Sequence, residues 1–176
     1  MPKPPDRKLD ANRLMAFAAQ ALSARALTIS ELREKLNRRA ADPADVEQIL
    51  ARLKESGYLN DQRFAESYAS WRRDDGGFGK TRVLRDLMVR RVAPAVAKQA
   101  AETAFQGADE IAMIEAFLQR KYRGKDLGAL LQEQKHLASA YRKLRMSGFS
   151  TGNSIRVLKR YAEQAELLED SEVEEQ

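Results

Sequence analysis

Residues 28–57 read TISELREKLNRRAADPADVEQILARLKESG, and this stretch contains the start and end signals of two helices. Thr28 followed by Glu31 matches a capping box, in which each side chain bonds the backbone N–H of the other residue. Asp42 followed by Pro43 is typical of an N-cap and a first helical residue. Gly57 suits a helix end, because glycine adopts the left-handed conformation there at little cost. The stretch therefore predicts two consecutive helices, the second ending near Gly57.

Apolar residues recur at helical spacing along most of the remaining chain. One stripe includes Leu14 and Phe17, and similar stripes follow Asn60, Gly79 and Pro94. The last third of the chain predicts a helix through Phe117, a longer helix around residues 130–146, and a final helix from Ser150. No segment shows sustained alternation with a period of two residues, which a half-buried strand would require. We therefore predict an all-α fold.

Three similar phrases predict an internal repeat. They are LNRRAADPADV from Leu36, LMVRRVAPAVA from Leu87 and LRMSGFSTGNSI from Leu144, and each places a leucine late in a helix, before a short turn and a new apolar stripe. We predict three tandem three-helix repeats that form an elongated, curved body. The predicted segments are a flexible N-terminus at 1–9, repeats at 10–58, 59–106 and 107–162, and an acidic tail at 163–176. An irregular bundle with accidental similarity is the alternative.

The composition excludes several classes of protein. The chain has 176 residues with no cysteine and one histidine, His136. A chain without cysteine forms no disulfide and offers no thiol nucleophile or thiolate metal ligand. A single histidine also excludes the zinc sites that need two or three imidazoles. Because there is no long apolar run and no signal-like start, we expect a cytoplasmic protein without membrane association, metal or cofactor.

The charge is distributed unevenly along the chain. After Arg160 there are seven acidic residues and no Lys or Arg, so residues 1–160 carry a net charge of +12 against +5 for the whole chain. A basic body with an acidic tail indicates a polyanionic partner, or an acidic protein surface on such a partner. A well-solvated helical surface is the alternative. For the tail itself, either a solubility device or a segment that folds over the basic surface and competes with the partner fits the sequence.

One segment has a superficial likeness to a nucleotide-binding loop. DDGGFGKT, from Asp74 to Thr81, ends like a P-loop but has Asp74 where the pattern requires glycine. It also follows a predicted helix, whereas a P-loop follows a strand. The spacing of Phe64, Tyr68 and Trp71 on that helix favours a core position over a base-stacking surface. We find no set of residues that predicts catalysis, and we predict that the protein is not an enzyme.

The remaining functional signal comes from basic residues in the second and third repeats. If the repeats stack, these side chains could line one face and contact phosphates or an acidic groove. We predict partner-binding roles for eleven of them: Arg72, Arg73, Lys80, Arg82, Arg85, Arg90, Lys121, Arg123, Lys143, Arg145 and Lys159.

At residues 57–72, GYLNDQRFAESYASWR, the chain resembles the RecX family, the regulators of the bacterial recombinase RecA. That family has a Gly-Tyr-Leu-(Asp/Asn)-Asp stretch followed by Phe-Ala and an aromatic-rich helix. A basic helix after Gly79, the phrase at residues 145–150 and the early Ser30-Glu31-Leu32 phrase also agree. The resemblance covers about residues 12–162. The chain departs from the family pattern near Arg91, where the family usually has a glycine.

The resemblance implies a non-enzymatic modulator, mainly an inhibitor, of RecA. Such a protein would bind the groove of the RecA filament on single-stranded DNA and restrain ATP hydrolysis, strand exchange and co-protease activity. This would connect it to homologous recombination, DNA repair and the SOS response. We expect a monomer with weak direct DNA binding. The residues expected to hold the repeats together are Gly57, Tyr58, Asp61, Phe64, Ala65, Gly79, Gly148 and Phe149.

Two functions from other classes stay open. The first is a helix-turn-helix-like DNA-binding regulator that acts without RecA and would bind a particular duplex through one recognition helix. The second is a structural adaptor whose charge is incidental, and which would show weak salt dependence.

Overall fold

A computed structural model describes residues 8–163 and 165 of the chain. The described residues form ten α-helices and no β-strand, with one isolated bridge between Leu9 and Ala40. This confirms the all-α prediction. The helices are α1 Ala11–Ala24, α2 Ile29–Arg39, α3 Pro43–Glu55, α4 Asp61–Asp74, α5 Lys80–Val89, α6 Pro94–Phe105, α7 Glu110–Lys121, α8 Leu127–Leu131, α9 Gln134–Met146 and α10 Thr151–Leu158. Residues 1–7 of the predicted flexible N-terminus and nearly all of the predicted acidic tail lie outside the described residues.

The chain divides into two compact units. Unit 1 comprises Met1–Ser67 and Leu87–Ala100, and unit 2 comprises Tyr68–Asp86 and Ala101–Gln176. The division into three repeats with the boundaries given above stays a prediction. Within the described residues, every helix is too short or too polar to cross a lipid bilayer.

The helix signals in residues 28–57 shape unit 1 as predicted. The Thr28 hydroxyl accepts a hydrogen bond from the Glu31 backbone N–H at 3.1 Å, and the Glu31 carboxylate accepts one from the Thr28 N–H at 3.2 Å. Asp42 caps α3 through the N–H of Ala44, and Gly57 has a φ of +71° just after the helix. With these ends fixed, the apolar faces of α1, α2 and α3 meet in one core that includes Leu14, Leu36 and Leu50.

Unit 2 has its own core, built mainly from α7, α9 and α10. Ile114, Leu118, Leu144 and Leu158 are fully buried there. Phe149, also fully buried, meets the ring of Phe117 edge-to-face with 5.6 Å between ring centroids. This aromatic pair adds to the hydrophobic stabilisation of the unit by about 1 kcal/mol beyond its buried area.

The predicted long helix at residues 130–146 is wrong, because the chain forms the short helix α8 and then α9. Asp126 caps α8 through the Ala129 N–H, and the chain turns at residues 132 and 133 before α9 begins. Leu131 and Leu137 are both buried in the core of unit 2. On one continuous helix these residues would point about 120° apart. The break lets both side chains enter the same core.

The core position predicted for Trp71 is also wrong. Trp71 exposes 52% of its surface, and Tyr68 and Phe64 are partly buried. The fully buried residues of α4 are Ala65 and Ala69, which lie four residues apart on one face. Small side chains allow close packing of the helix on this face. The aromatic ridge of α4 therefore lies on the flank of the buried face.

Candidate partner-binding surface

The glycine-rich segment between α4 and α5 packs tightly against the connection between α9 and α10. The backbone N–H of Gly79 donates to the carbonyl of Ser147 at 2.8 Å, and that of Thr81 donates to the carbonyl of Gly148 at 3.3 Å. Both carbonyls belong to the connection between α9 and α10. Because these N–H groups are already bonded, the start of α5 does not offer them to a phosphate. The segment also follows helix α4 and no strand, as the sequence predicted.

Asp86 organises two of the predicted partner-binding arginines. Its carboxylate accepts hydrogen bonds from Arg72, on the other side of the glycine-rich segment, and from Nε of Arg82 at 2.9 Å. The side chains of Arg72 and Asp86 are only 15% and 17% exposed. The Arg72 guanidinium also lies 3.9 Å from the ring centroid of Phe78. Arg72 and Arg82 thus stabilise the packing of α5 against α4, whereas the sequence predicted that they contact a partner.

Four other predicted cations also have partners within their own unit. Arg73 bonds Asp74 at 2.6 Å and the carbonyl of Ala104, and the hydrogen bond to Asp74 raises the pKa of Arg73. Arg90 bonds Glu31 at 2.9 Å in unit 1. In unit 2, Lys143 donates to the Tyr122 hydroxyl at 3.2 Å, and Arg145 donates to the Phe149 carbonyl at 2.7 Å. These contacts occupy the charged groups before any partner arrives.

The side chains of four predicted cations are exposed and have no hydrogen bond or ion pair to any described residue: Lys80, Arg85, Lys121 and Arg123. All four belong to unit 2. Lys80 and Arg85 lie on α5, Lys121 is the last residue of α7, and Arg123 follows it. We call these four residues the free cations. Lys159, the C-cap residue of α10, is exposed as well.

Lys80 and Glu110 both line a small cleft in unit 2. The cleft has a volume of about 310 Å³ and is also lined by Thr81, Gly148 and Ser150. The Glu110 carboxylate accepts hydrogen bonds from the backbone and hydroxyl of Ser150, at 2.8 and 2.5 Å, and from the Asn153 amide at 2.5 Å. Partial burial alone would raise the pKa of Glu110, but these hydrogen bonds outweigh it and hold the pKa below its ordinary value. Glu110 therefore stabilises the start of α10.

Neither Asp86 nor Glu110 was predicted from the sequence. Asp86 lies four residues after Arg82, a spacing that permits an ion pair along a helix, and this was the available signal. Glu110 has no comparable signal, because its partners at Ser150 and Asn153 are about 40 residues away in the sequence.

Most residues predicted to hold the repeats together have packing or capping roles. Asp61 accepts a hydrogen bond from the Ile29 N–H at 2.8 Å, and burial raises the pKa of its carboxyl despite this bond. Ala65 is fully buried, and the ring of Phe64 lies 5.6 Å from the guanidinium of Arg90. Tyr58 is different, because 73% of its surface is exposed. That exposure contradicts the packing role predicted for Tyr58.

The described residues thus form an all-α fold that carries exposed cations without counterparts among the described residues. Comparison with known proteins gives the family. Residues 60–100 match the family model described as RecX, second three-helix domain. The chain is 33% identical to the regulatory protein RecX of Deinococcus radiodurans over 98% of its own length and 78% of that protein. It is 28% identical to the regulatory protein RecX of Amycolatopsis mediterranei over 97% of both chains. The chain belongs to the RecX family of regulatory proteins.

Solved structures support the same fold. The crystal structure of RecX from Lactobacillus salivarius matches with a TM-score of 0.63 at 17% identity, over 86% of this chain and 96% of that one. A second crystal structure of a regulatory protein RecX matches with a TM-score of 0.66 at 19% identity, over 84% of this chain and 70% of that one. At these identities the comparison establishes the helical fold.

Proposed function

We propose that this protein binds RecA in its filament on single-stranded DNA and inhibits it without catalysing a reaction. Bound in the filament groove, it would restrain ATP hydrolysis, strand exchange and co-protease activity. Membership of the RecX family of regulatory proteins supports this function. The observation that carries it is the set of four free cations, whose charges have no described counterpart within unit 2.

The free cations suit an anionic partner for an electrostatic reason. Each of them is already exposed, so binding an acidic surface or a phosphate breaks no internal ion pair among the described residues. Each contact with a phosphate also releases condensed counterions, which makes binding favourable at low salt and weaker as salt rises. Several such contacts on one chain reinforce each other, because the first contact raises the effective concentration of the next.

The predicted cations that have internal partners contribute differently. Arg72 and Arg82 share the Asp86 carboxylate, so turning either one toward a partner would leave a poorly exposed charge without its full set of hydrogen bonds. We therefore assign the direct contacts to Lys80, Arg85, Lys121 and Arg123. Arg72 and Arg82 have an indirect role, in which they hold α5 and its two free cations in place.

The test is the rate of ATP hydrolysis by RecA on single-stranded DNA while this protein is titrated in, at two salt concentrations. We expect inhibition at or below stoichiometric amounts, with weaker inhibition at the higher salt. A duplex-binding measurement without RecA accompanies it. If RecA activity is unchanged while a particular duplex is bound tightly, the protein is a DNA-binding regulator and the proposal is wrong.

A further inference from the structure

The turn that ends α5 has an arginine at a position that favours glycine. The backbone N–H of Arg91 donates to the carbonyl of Met88 at 2.8 Å, and that of Val92 donates to the carbonyl of Leu87 at 3.1 Å. These two hydrogen bonds form a Schellman motif, in which the residue after the helix cap is left-handed. Arg91 has a φ of +60°, and in the described part of the chain it is the one residue other than glycine with a positive φ.

The end of α9 has the same turn with glycine at the left-handed position. There the N–H of Gly148 donates to the carbonyl of Arg145 at 3.0 Å, and that of Phe149 donates to the carbonyl of Leu144 at 3.2 Å. A left-handed residue with a Cβ atom crowds the following carbonyl oxygen, which costs free energy that glycine does not lose. The backbone turn therefore gains nothing from an arginine at position 91, and any advantage of this residue lies in its side chain.

That side chain belongs to a group of arginines in unit 1 that surrounds two glutamates of α2. The group, which we call the arginine patch, consists of Arg25, Arg38, Arg90 and Arg91. Glu31 pairs with the first and third of these residues, at 3.4 and 2.9 Å, and Glu34 pairs with the second and fourth. Four positive charges against two negative charges leave the patch with an excess of two positive charges over the glutamates that it contacts.

Arg90 and Arg91 differ in how firmly they are held. Arg90 bonds Glu31, and its carbonyl accepts a hydrogen bond from the fully buried hydroxyl of Thr28 at 2.9 Å. The Arg91 side chain is 67% exposed, and its distance of 3.6 Å to Glu34 is longer than a hydrogen bond. A guanidinium has several N–H donors, so Arg91 can donate to the carboxylate of a partner without giving up a hydrogen bond.

Two exposed apolar residues directly precede the arginine patch in the chain. Val89 is 75% exposed and Met88 is 45% exposed, whereas Leu87 is fully buried. A phosphate backbone offers no apolar group to cover such side chains, but a protein surface offers apolar and acidic side chains together. Arginine and methionine are also enriched where proteins contact each other. The combination of Met88, Val89 and Arg91 therefore fits a protein partner better than a nucleic acid.

We propose that Met88, Val89 and Arg91, which we call the α5-end surface, contact the protein component of the RecA filament. The surface binds a carboxylate that lies beside an apolar side chain. Arg91 forms a charge-assisted hydrogen bond with the carboxylate, and Val89 and Met88 cover the apolar group. The identity of the partner rests on the proposed function. This contact in unit 1 adds to the contacts of the four free cations in unit 2.

The charged part of the surface is tested with Arg91→Gly, measured by urea denaturation and by affinity for the RecA filament. We expect the urea midpoint to rise, because glycine removes the backbone strain, and the affinity to fall by at least about fivefold. Opposite changes in stability and affinity exclude unfolding as the cause of weaker binding. Arg52→Ala is the matched control, because it removes one exposed positive charge of unit 1 outside this surface and should bind like the wild type.

The apolar part is tested with Val89→Ser and Val89→Ile. We expect Val89→Ser to bind the filament several-fold more weakly and Val89→Ile to bind at least as tightly as the wild type. The loss in Val89→Ser should persist between about 50 mM and about 300 mM salt, whereas the loss in Arg91→Gly should shrink over that range. Affinity for single-stranded DNA without RecA should be the same for the wild type and all these variants.

Several results would overturn this inference. They are an unchanged filament affinity in Arg91→Gly or Val89→Ser, a lower urea midpoint in Arg91→Gly, and an equal loss of affinity in Arg52→Ala. An equal loss on single-stranded DNA alone would also overturn it, because the surface would then bind phosphate. If the wild-type chain neither binds nor inhibits the filament, the proposed function fails and this inference fails with it. If the wild type inhibits and both variants inhibit equally well, only this inference fails.

Discussion

Gly79 and Gly148 lie where the start of α5 packs directly against the connection between α9 and α10, and neither position has room for a side chain. A Cβ atom on Gly79 would lie 2.3 Å from the carbonyl oxygen of Gly148, and one on Gly148 would lie 2.2 Å from the backbone nitrogen of Arg82. The contact fixes the first turn of α5 to the connection between α9 and α10. The position of Lys80 at the start of α5 therefore depends on two glycines that are far apart in the sequence.

Replacement of Gly148 should destabilise unit 2. Its φ of +88° lies in the left-handed region, and the added Cβ would overlap Arg82. For Gly148→Ala we expect a loss of about 2–4 kcal/mol in the free energy of unfolding, measured by urea denaturation. Gly152→Ala is the matched control, because a Cβ there meets no atom within 4 Å and the residue lies in α10. Gly152→Ala should raise the free energy of unfolding by up to about 1 kcal/mol. Equal losses for the two variants would contradict the close approach at Gly148.

Asp86→Ala should lower the free energy of unfolding by more than the removal of an exposed carboxylate does. It leaves Arg72 without its ion-pair partner in a site where Nε of Arg72 is already buried without a hydrogen bond. We expect a loss of about 3 kcal/mol in the free energy of unfolding. Glu34→Ala is the comparison, because Glu34 is 49% exposed and pairs with Arg38 and Arg91 at the surface. For Glu34→Ala, the free energy of unfolding should fall by no more than about 1 kcal/mol. A similarly small fall for Asp86→Ala would show that the ion pairs of Asp86 contribute little to stability.

Glu110 and Asp61 should have opposite effects on stability in acid. The pKa of Glu110 is lowered in the folded state, so its contribution is present above its ordinary pKa and is lost as pH falls through the folded value. The pKa of Asp61 is raised, so its contribution is present at low pH and is lost as pH rises through the folded value.

Denaturation between about pH 3 and about pH 7 measures this difference. The decline in the free energy of unfolding toward low pH should be shallower in Glu110→Gln than in the wild-type chain, and steeper in Asp61→Asn. Asparagine keeps an oxygen that can accept the hydrogen bond from Ile29, so the second variant isolates the charge. Identical pH profiles for all three chains would contradict both pKa directions.

Ser154→Ala should stabilise unit 2. Ser154 is fully buried in α10, and its hydroxyl has no hydrogen-bond partner in the part of the chain that the structure describes. Removing an unsatisfied buried hydroxyl should gain about 1 kcal/mol, measured as a rise in the free energy of unfolding. Ser150→Ala, in contrast, removes the N-cap of α10 and should lose about 1 kcal/mol. A loss for Ser154→Ala would mean that its hydroxyl contributes a favourable interaction.

The helical fold could be predicted because its signals are local. The capping box of Thr28 and Glu31, the Asp42-Pro43 start and the glycine at position 57 each involve residues a few positions apart, and all three occur in the structure. The break between α8 and α9 could not be predicted, because it depends on the packing of Leu131 and Leu137 into the same core. Periodicity alone carries no information about such a tertiary preference.

The same reasoning explains why only some of the predicted site could be assigned from the sequence. The sequence does not show whether a basic side chain already bonds a carboxylate or a backbone carbonyl that is distant in the sequence. Arg73 bonds Ala104, and Arg82 bonds the carbonyl of Met146. The structure distinguishes these arginines from Lys80 and Arg85, which the sequence placed in one group.

The most direct measurement compares inhibition of RecA ATP hydrolysis by three forms of this protein. They are the wild-type chain, a variant with alanine at all four free cations, and a variant with the charge-conserving exchanges Lys80→Arg, Arg85→Lys, Lys121→Arg and Arg123→Lys. Because the four side chains are exposed and support no described contact, both variants should fold like the wild type. We predict that the alanine variant requires at least about tenfold more protein for half-inhibition, while the charge-conserving variant stays close to the wild type. Full inhibition by the folded alanine variant at the wild-type concentration would contradict the account.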